Sequence, residues 1–306
     1  MNLGNQIYTY IMPISNMTIV AGGDIGNTRM SHIMNHEVVA KQQPDLLMVG
    51  GDISYDNNVP QCYQAWDTLL RDLPIQVKDL DTEFIRIIPI IFGIGNHDIG
   101  NSAYTDNDIV YTAHEPVYKH FFPQNTNEGA DPELTHRKSY FSHKFGDRLI
   151  ILSLDAGYEE LIQGEQSHWL RDRLQVNSTI KLAQYHSPIY PACRSERDVD
   201  VQVLGKEHWV SLFDQFNLTA ALENHNHVFK RTKPIKNNTV NENGTVYLGE
   251  GSWGQLTTQC KPSNEHLVEK LEFTRAVWVF KITNKDTLKV FAVNESNQLV
   301  DSLRFN

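Results

Sequence analysis

LLMVGGDISYDN, residues 46–57, sets the reading of this chain. Residues 46–49 are a short run of long aliphatic side chains, the pattern of a strand buried on both faces. Gly50 and Gly51 then turn the chain out of the strand, and no Lys-Ser/Thr follows to make a phosphate-binding P-loop. Asp52 and Tyr55 come next. Four more segments repeat this grammar. GGDIGNT (22–28) brings Asp24 after the apolar run 17–21, and GIGNHDIG (93–100) brings Asn96, His97 and Asp98 after 87–92. AQYHSPIY (183–190) brings His186 after 181–185, and LENHNHVFKR (222–231) brings His225 and His227 after 218–222. Open α/β sheets bind ligands beyond the carboxyl ends of their strands, so five such segments imply one shared site.

Residues 149–154 form a sixth apolar run, and helix-like stretches fall at 28–41, 61–70, 109–121, 165–175 and 206–215. Strand and helix in alternation imply parallel βαβ units and an α/β fold. Beyond Val246 the pattern changes to strands and turns, with hairpin turns expected at 284–286 and 294–297. No repeat or low-complexity linker interrupts the chain. The expected organisation is one domain over 1–306, with its core from about residue 17 and an N-terminal extension over 1–16.

Apolar residues make up 40% of the 306 and charged residues 21%, an ordinary globular balance. The net charge of −10 argues against a nucleic-acid backbone as partner, which needs clustered Lys and Arg. It leaves small anionic substrates open, because bound cations reverse the local field. No window approaches the roughly 20 apolar residues of a membrane span. The first twenty residues lack both the basic start and the continuous apolar stretch of a secretory signal. Three cysteines (Cys62, Cys193, Cys260) allow at most one bridge. Six Asn-x-Ser/Thr sequons, at Asn16, Asn177, Asn217, Asn237, Asn243 and Asn294, lean towards a secreted or endomembrane-lumen protein. Asn217 leads straight into an apolar run and is expected to be a poor acceptor.

Taken singly, the polar residues have bland readings. A Gly-Asp after a strand is usually a turn, Asn96-His97-Asp98 can be an Asx turn, and Tyr55 or His186 can simply pack. Together they make a donor set. Asp24, Asp52, Asn96, Tyr55, His186, His225 and His227 offer hard oxygen and imidazole ligands suited to Fe, Mn or Zn. That is enough for two ions sharing one bridging carboxylate, which can clamp the attacking and leaving oxygens of a phosphoryl displacement. His225 and His227 are two apart, so an extended backbone would put both rings on one side and turn Asn226 away. His32 and His36, one helical turn apart, read as surface residues.

The order and spacing of the five segments resemble the calcineurin-like metallophosphoesterase superfamily and, within it, the purple acid phosphatases. The resemblance runs from about Met17 to the C-terminus and takes in KSYFSHKFGDRLIILSLD (138–155), GEQSHWLRDRL (164–174) and GTVYLGEGSWGQ (244–255). Most of the superfamily carries Asp-x-His in its first block, where this chain has Asp24-Ile25-Gly26. The purple acid phosphatases instead carry a tyrosine three residues after the second aspartate, here Tyr55.

The resemblance implies a four-layer α/β/β/α fold, two mixed β-sheets packed as a sandwich and flanked by helices. It implies Fe(III) on Asp24, Tyr55 and His227 with Asp52 bridging, and Fe(II), Zn(II) or Mn(II) on Asp52, Asn96, His186 and His225. His97 is implied to face the substrate, with Asp98 orienting it. The implied activity is acid-phosphatase hydrolysis of a small phosphate monoester. Rival expectations are a phosphodiesterase or diphosphate hydrolase on the same site, and a non-catalytic metal-binding module. Two departures stand out. Asn224 replaces the family's glycine and is expected at positive φ, and PACRSERDVD (191–200) lacks the substrate-facing histidines of plant-type members. Arg194 and Arg197 are the candidate phosphate contacts there.

Overall fold

The computed structural model describes residues 16–305 except 27, 57–63, 74–75, 79–84, 100–117, 119–136, 197, 250 and 284–286. In chain order the first strands are β1 (Met17–Gly22), β2 (Leu46–Gly50), β3 (Gln76–Lys78), β4 (Ile85–Ile87), β5 (Ile90–Gly93) and β6 (Phe141–Phe145). There follow β7 (Leu149–Ser153), β8 (Ile180–Gln184), β9 (Ala220–Leu222), β10 (Phe229–Thr232), β11 (Ile235–Lys236), β12 (Thr239–Val240) and β13 (Val246–Gly249). The last four are β14 (Val268–Glu272), β15 (Ala276–Ile282), β16 (Leu288–Asn294) and β17 (Leu299–Phe305).

Two mixed sheets carry the fold. One has the order β17-β16-β15-β1-β2-β5, the other β14-β10-β13-β9-β8-β7-β6. β1, β2 and β5 run parallel, as do β7, β8, β9 and β13. Residues at period two explain why these strands read as unbroken apolar runs. Ile19, Met48, Ile151 and Leu182 face the other sheet across a shared core, while Val20, Val49, Ile150 and Ala183 face outward. Each outward face is covered by helices, giving the four layers α/β/β/α. On one side lie α1 (Arg29–Ile33), the π turn that continues it over Met34–Val39, and α2 (Gln64–Asp72), which together bury Met34, Val38, Trp66 and Leu69. On the other lie α3 (Glu165–Leu174), α4 (Val199–Gly205) and α5 (Ser211–Phe216), the last two joined by a π turn over Lys206–Val210, together burying Leu170, Leu174, Trp209 and Phe213.

Several boundaries differ from the sequence reading. α1 starts at a capping box, with Thr28 Oγ1 accepting from the Ser31 amide and Ser31 Oγ from the Thr28 amide. It continues through a π turn over Met34–Val39 and a 3-10 turn over Ala40–Gln42. The expected strand 87–92 is two strands: Pro89, with no amide to give a ladder, separates β4, paired with β3, from β5 in the main sheet. The helix expected at 206–215 begins at Val199 and runs through a π turn over Lys206–Val210 into α5. The hairpin turn at 294–297 is present, with Asn294 Oδ1 accepting from the amides of Ser296 and Gln298. The other hairpin turn, the helix expected at 109–121 apart from Tyr118, residues 61–63 of another, and Cys62 lie outside the described residues. Among the described residues no helix is long and apolar enough to cross a membrane.

Candidate metal centre

The parallel strands of both sheets discharge their polar loops towards one another. The loops after β1 and β2 are zipped by backbone bonds: the amides of Asp24, Ile25 and Gly26 donate to the carbonyls of Gly51, Asp52 and Ile53. Gln184, at the end of β8, crosses the sandwich, its Nε2 donating to Ile91 O at 3.3 Å and meeting Ser153 Oγ at 3.2 Å. Asp24 and Asp52 therefore arrive side by side, and His186 is carried up beside them.

Two donor groups result, joined by Asp52. Ligand atoms of Asp24, Asp52 and His227 lie within 4.8 Å of one another, and so do those of Asp52, His186 and His225. In the first group Asp24 Oδ1 is 3.0 Å from His227 Nε2, and Tyr55 Oη is 3.3 Å from each of them. In the second, Asn96 Oδ1 lies 3.1 Å from His186 Nε2 and 3.0 Å from His225 Nδ1, with the two nitrogens 3.3 Å apart. His186 gives its Nδ1 proton to Gly50 O at 2.9 Å, which turns Nε2 inward. All seven donors named from the sequence thus face one small volume.

The electrostatics ask for positive charge there. Asp52 is fully buried, and its Oδ2 completes no hydrogen bond although it faces His186 Nε2 at 3.3 Å and His97 Nε2 at 3.9 Å. Burial alone would raise the Asp52 carboxyl; His186, His97 and His225 hold it well below the usual carboxylate range. Burial would lower His186, but Asp52 and Asp24 push it up to about 10. Tyr55 is raised well above an ordinary phenol by burial and by Asp24, Asp52 and Asp98, so a phenolate there requires a cation between them. An orphaned anionic oxygen ringed by imidazoles, an amide oxygen and a phenol fits a pair of metal ions.

Around this volume the structure revises several expectations. His225 and His227 are not extended; both take positive φ, 78° and 54°, and converge by bending. Asn226 does point away, its buried Nδ2 donating to Cys193 O at 3.0 Å. Asn224 is not among the residues at positive φ. It is instead a buried wedge between the two strand ends, its Nδ2 donating to Tyr185 O at 3.0 Å. A Cβ on Gly23 or Gly50 would meet its amide at 2.5 and 2.0 Å, so both glycines clear room for it. Asp98 does not hold His97. Its oxygens accept from the amides of Asp52, Ile53 and Gly95 at 2.8–2.9 Å, pinning the Asp52 loop from beneath. Burial, then Asp52, pushes Asp98 up to about 8. His97 is partly buried, its ring 4.3 Å from that of Tyr55 between centroids, and burial lowers its pKa. Arg194 Nη2 donates to His225 O at 3.2 Å, and Arg197 lies outside the described residues.

Sequence reading missed two features. Asp198 Oδ2 sits 3.1 Å from His225 Nε2, with no spacing motif to announce it. Glu223 and Lys230, both fully buried and paired, tie the His186 and His225 loops together. Glu223 Oε1 takes Tyr185 Oη and the Ile189 amide, while Lys230 Nζ gives to Tyr190 O. Cys193 and Cys260 form a disulfide. His32 and His36 stay exposed, and with Asp72 they make a separate surface group, His32 Nδ1 lying 3.5 Å from Asp72 Oδ2.

Residues 17–229 match the calcineurin-like phosphoesterase family, a span that opens with β1 and closes two residues after His227. The chain is 22% identical over 258 residues to Probable purple acid phosphatase 20 of Arabidopsis thaliana, covering 82% of this chain and 55% of that protein. It is 25% identical over 224 residues to Probable inactive purple acid phosphatase 9 of the same plant, covering 67% and 32%. The chain thus spans about half the length, or less, of these curated relatives. A purple acid phosphatase from yellow lupin (Lupinus luteus) seeds shares the fold, with a TM-score of 0.74 at 17% identity over 96% of this chain and 54% of that one. The family match takes in every donor and well over half of the 306 residues; the chain belongs to the calcineurin-like phosphoesterase family, as a purple acid phosphatase-like metallophosphoesterase.

Proposed function

We propose that this chain hydrolyses phosphate monoesters at a binuclear centre of the acid phosphatase type. Fe(III) would be held by Asp24, Asp52, Tyr55 and His227, and a divalent Fe, Zn or Mn by Asp52, Asn96, His186 and His225. The observation that carries the reading is Asp52, whose carboxylate belongs to both donor groups and has an oxygen, Oδ2, that completes no hydrogen bond. Tyr55 in place of a first-block histidine supports a ferric site, because a phenolate is a hard anionic donor. When bound, the two ions supply Lewis acidity and an activated water for in-line displacement at phosphorus. The protein's own part is orientation and charge. His97, on the open flank of Asp52, is the residue to hydrogen-bond a phosphoryl oxygen, and Asp98 holds the Asp52 loop in register through its backbone amides.

A secreted or lumenal protein is supported by the Cys193–Cys260 disulfide, a pairing that persists in oxidising compartments. Sequons Asn16, Asn177, Asn237 and Asn243 are exposed, and so is Asn217, at the C-cap of α5.

Metal analysis with a visible spectrum, beside turnover of an aryl phosphate and its diester, tests the reading. Two ions per chain, a broad phenolate-to-iron band and faster monoester cleavage are expected. Asp24→Ala, Asn96→Ala and His186→Ala should each lose metal and at least 100-fold in turnover, an order of magnitude typical of removing a catalytic metal contact. Preferred diester cleavage would select the phosphodiesterase reading. Two bound ions with no hydrolysis would select the non-catalytic module, a reading to which the relative named inactive points.

A further inference from the structure

We propose that Asp198 is the positioning residue of the divalent half of the centre: its carboxylate holds the proton on Nε2 of His225 and so turns Nδ1 to the ion. This rests on the binuclear reading above.

The three imidazoles do not enter the site alike. His186 and His227 present Nε2, the nitrogen at the far end of the ring. His225 presents Nδ1, 3.0 Å from Asn96 Oδ1 and 3.3 Å from His186 Nε2. Neutral imidazole carries its single proton on one nitrogen, and only the other can take a metal. His186 has this decided by Gly50 O. For His225 the outward nitrogen lies 3.1 Å from Asp198 Oδ2, where an N–H bonds strongly to a carboxylate. Asp198 therefore selects the tautomer that leaves the Nδ1 lone pair facing inward, and its negative charge makes that nitrogen a better donor.

The local backbone is arranged for this task at some cost. Asp198 stands at the N-cap of α4, where aspartate ordinarily accepts a hydrogen bond from the first turn. Here it makes no side-chain cap bond and takes φ 49°, ψ 36°, in the left-handed region. The preceding loop is anchored at several points. Cys193 is tied to Cys260 and to Asn226 Nδ2, Arg194 Nη2 to His225 O, and Ser195 O to Gln202 Nε2 at 2.8 Å. The segment lacking the expected histidines thus acts on the metal ligand from outside.

Protein stripped of its divalent ion is titrated with Zn(II) against a competing chelator, as wild type, Asp198→Asn and Asp198→Ala. Asp198→Ala is expected to weaken zinc at one site by 10–100-fold, the range for loss of such an outer carboxylate. Asp198→Asn, whose amide oxygen still accepts from Nε2, should fall between the two. Iron content, the visible band and the unfolding temperature should stay at wild-type values in both variants, because the contact removed is to His225, a proposed ligand of the divalent half alone. Unchanged zinc affinity in Asp198→Ala overturns the proposal, and so does an equal loss of iron and zinc in both variants, which marks a structural role. Wild type that binds no second ion sinks the binuclear reading itself, and Asp198 with it; two ions in wild type with unaltered zinc in the variants sinks Asp198 alone.

Discussion

Asp24, Asp52, Tyr55, His225 and His227, five of the seven proposed ligands, hold positive φ between 52° and 78°. The left-handed region costs a residue with a Cβ roughly 1–2 kcal/mol, and strain of this kind gathers where surrounding structure over-determines the backbone. Here the over-determination is visible. Asp52 is fixed through its own amide and that of Ile53 by Asp98, and Asp24 Oδ2 receives the His225 amide at 3.0 Å. The bent backbone directs the side chains inward off short loops. Tyr55 offers a direct test at this scale, since its hydroxyl lies 3.3 Å from both Asp24 and His227. Tyr55→Phe should abolish the phenolate-to-iron band and cut iron retention on dialysis. Unfolding of the metal-free protein should move by no more than about 1 kcal/mol, the net worth of one such bond.

Between elements, the contact that decides the approach of the two sheets is the Asn224 wedge. The loop after β9 reaches the ends of β1 and β2 only because Gly23 and Gly50 lack side chains. The carboxamide is buried and tied to Tyr185 O, so a methyl group cannot displace it cheaply. Gly50→Ala is expected to cost about 2–3 kcal/mol by overpacking. Asn224→Gly should cost about 1–3 kcal/mol through the lost hydrogen bond and the void. The double variant should recover at least about 1 kcal/mol of their sum, because the clash and the wedge are the same atoms. Denaturant unfolding of the four proteins closes the cycle; strict additivity would show that the wedge does not set the approach. The extension of α4 back to Val199 belongs to the same scale, since it places Asp198 beside His225.

Across the whole molecule, two long-range ties hold the loop cluster. One is the buried Glu223–Lys230 pair, which bonds back to Tyr185, Ile189 and Tyr190, and the other the Cys193–Cys260 disulfide across a sequence separation of 67. Closing a loop of that length removes unfolded-state entropy worth about 4 kcal/mol on the chain-entropy account. Replacing both cysteines by alanine should therefore lower stability by roughly 2–4 kcal/mol. The loss should be accompanied by weaker zinc binding, because the freed segment carries Asp198. Chelation should act in the same direction: ions that bind only the folded chain stabilise it by mass action. The unfolding temperature should drop with chelator and return on adding back Fe and Zn. Equal unfolding temperatures with and without metal would contradict the centre.

The apolar runs, their alternation with helices and the donor types that follow each run were legible in the amino-acid order, because period-two burial and strand-end polarity are local patterns. That was enough for the α/β class and for the seven side chains the fold draws together, while the two-sheet sandwich was implied by the family resemblance. Boundaries went astray where a single residue changed the local geometry, as Pro89 did in splitting β4 from β5. Asp198, the Asn224 wedge, the bent His225–His227 backbone and the partners of Asp98 were decided only in three dimensions. Each depends on what another segment, up to about two hundred residues away, leaves in reach: a lone pair, an amide or a missing Cβ. A linear reading names donors, but which nitrogen of a ring faces inward is fixed by the neighbour on its other side.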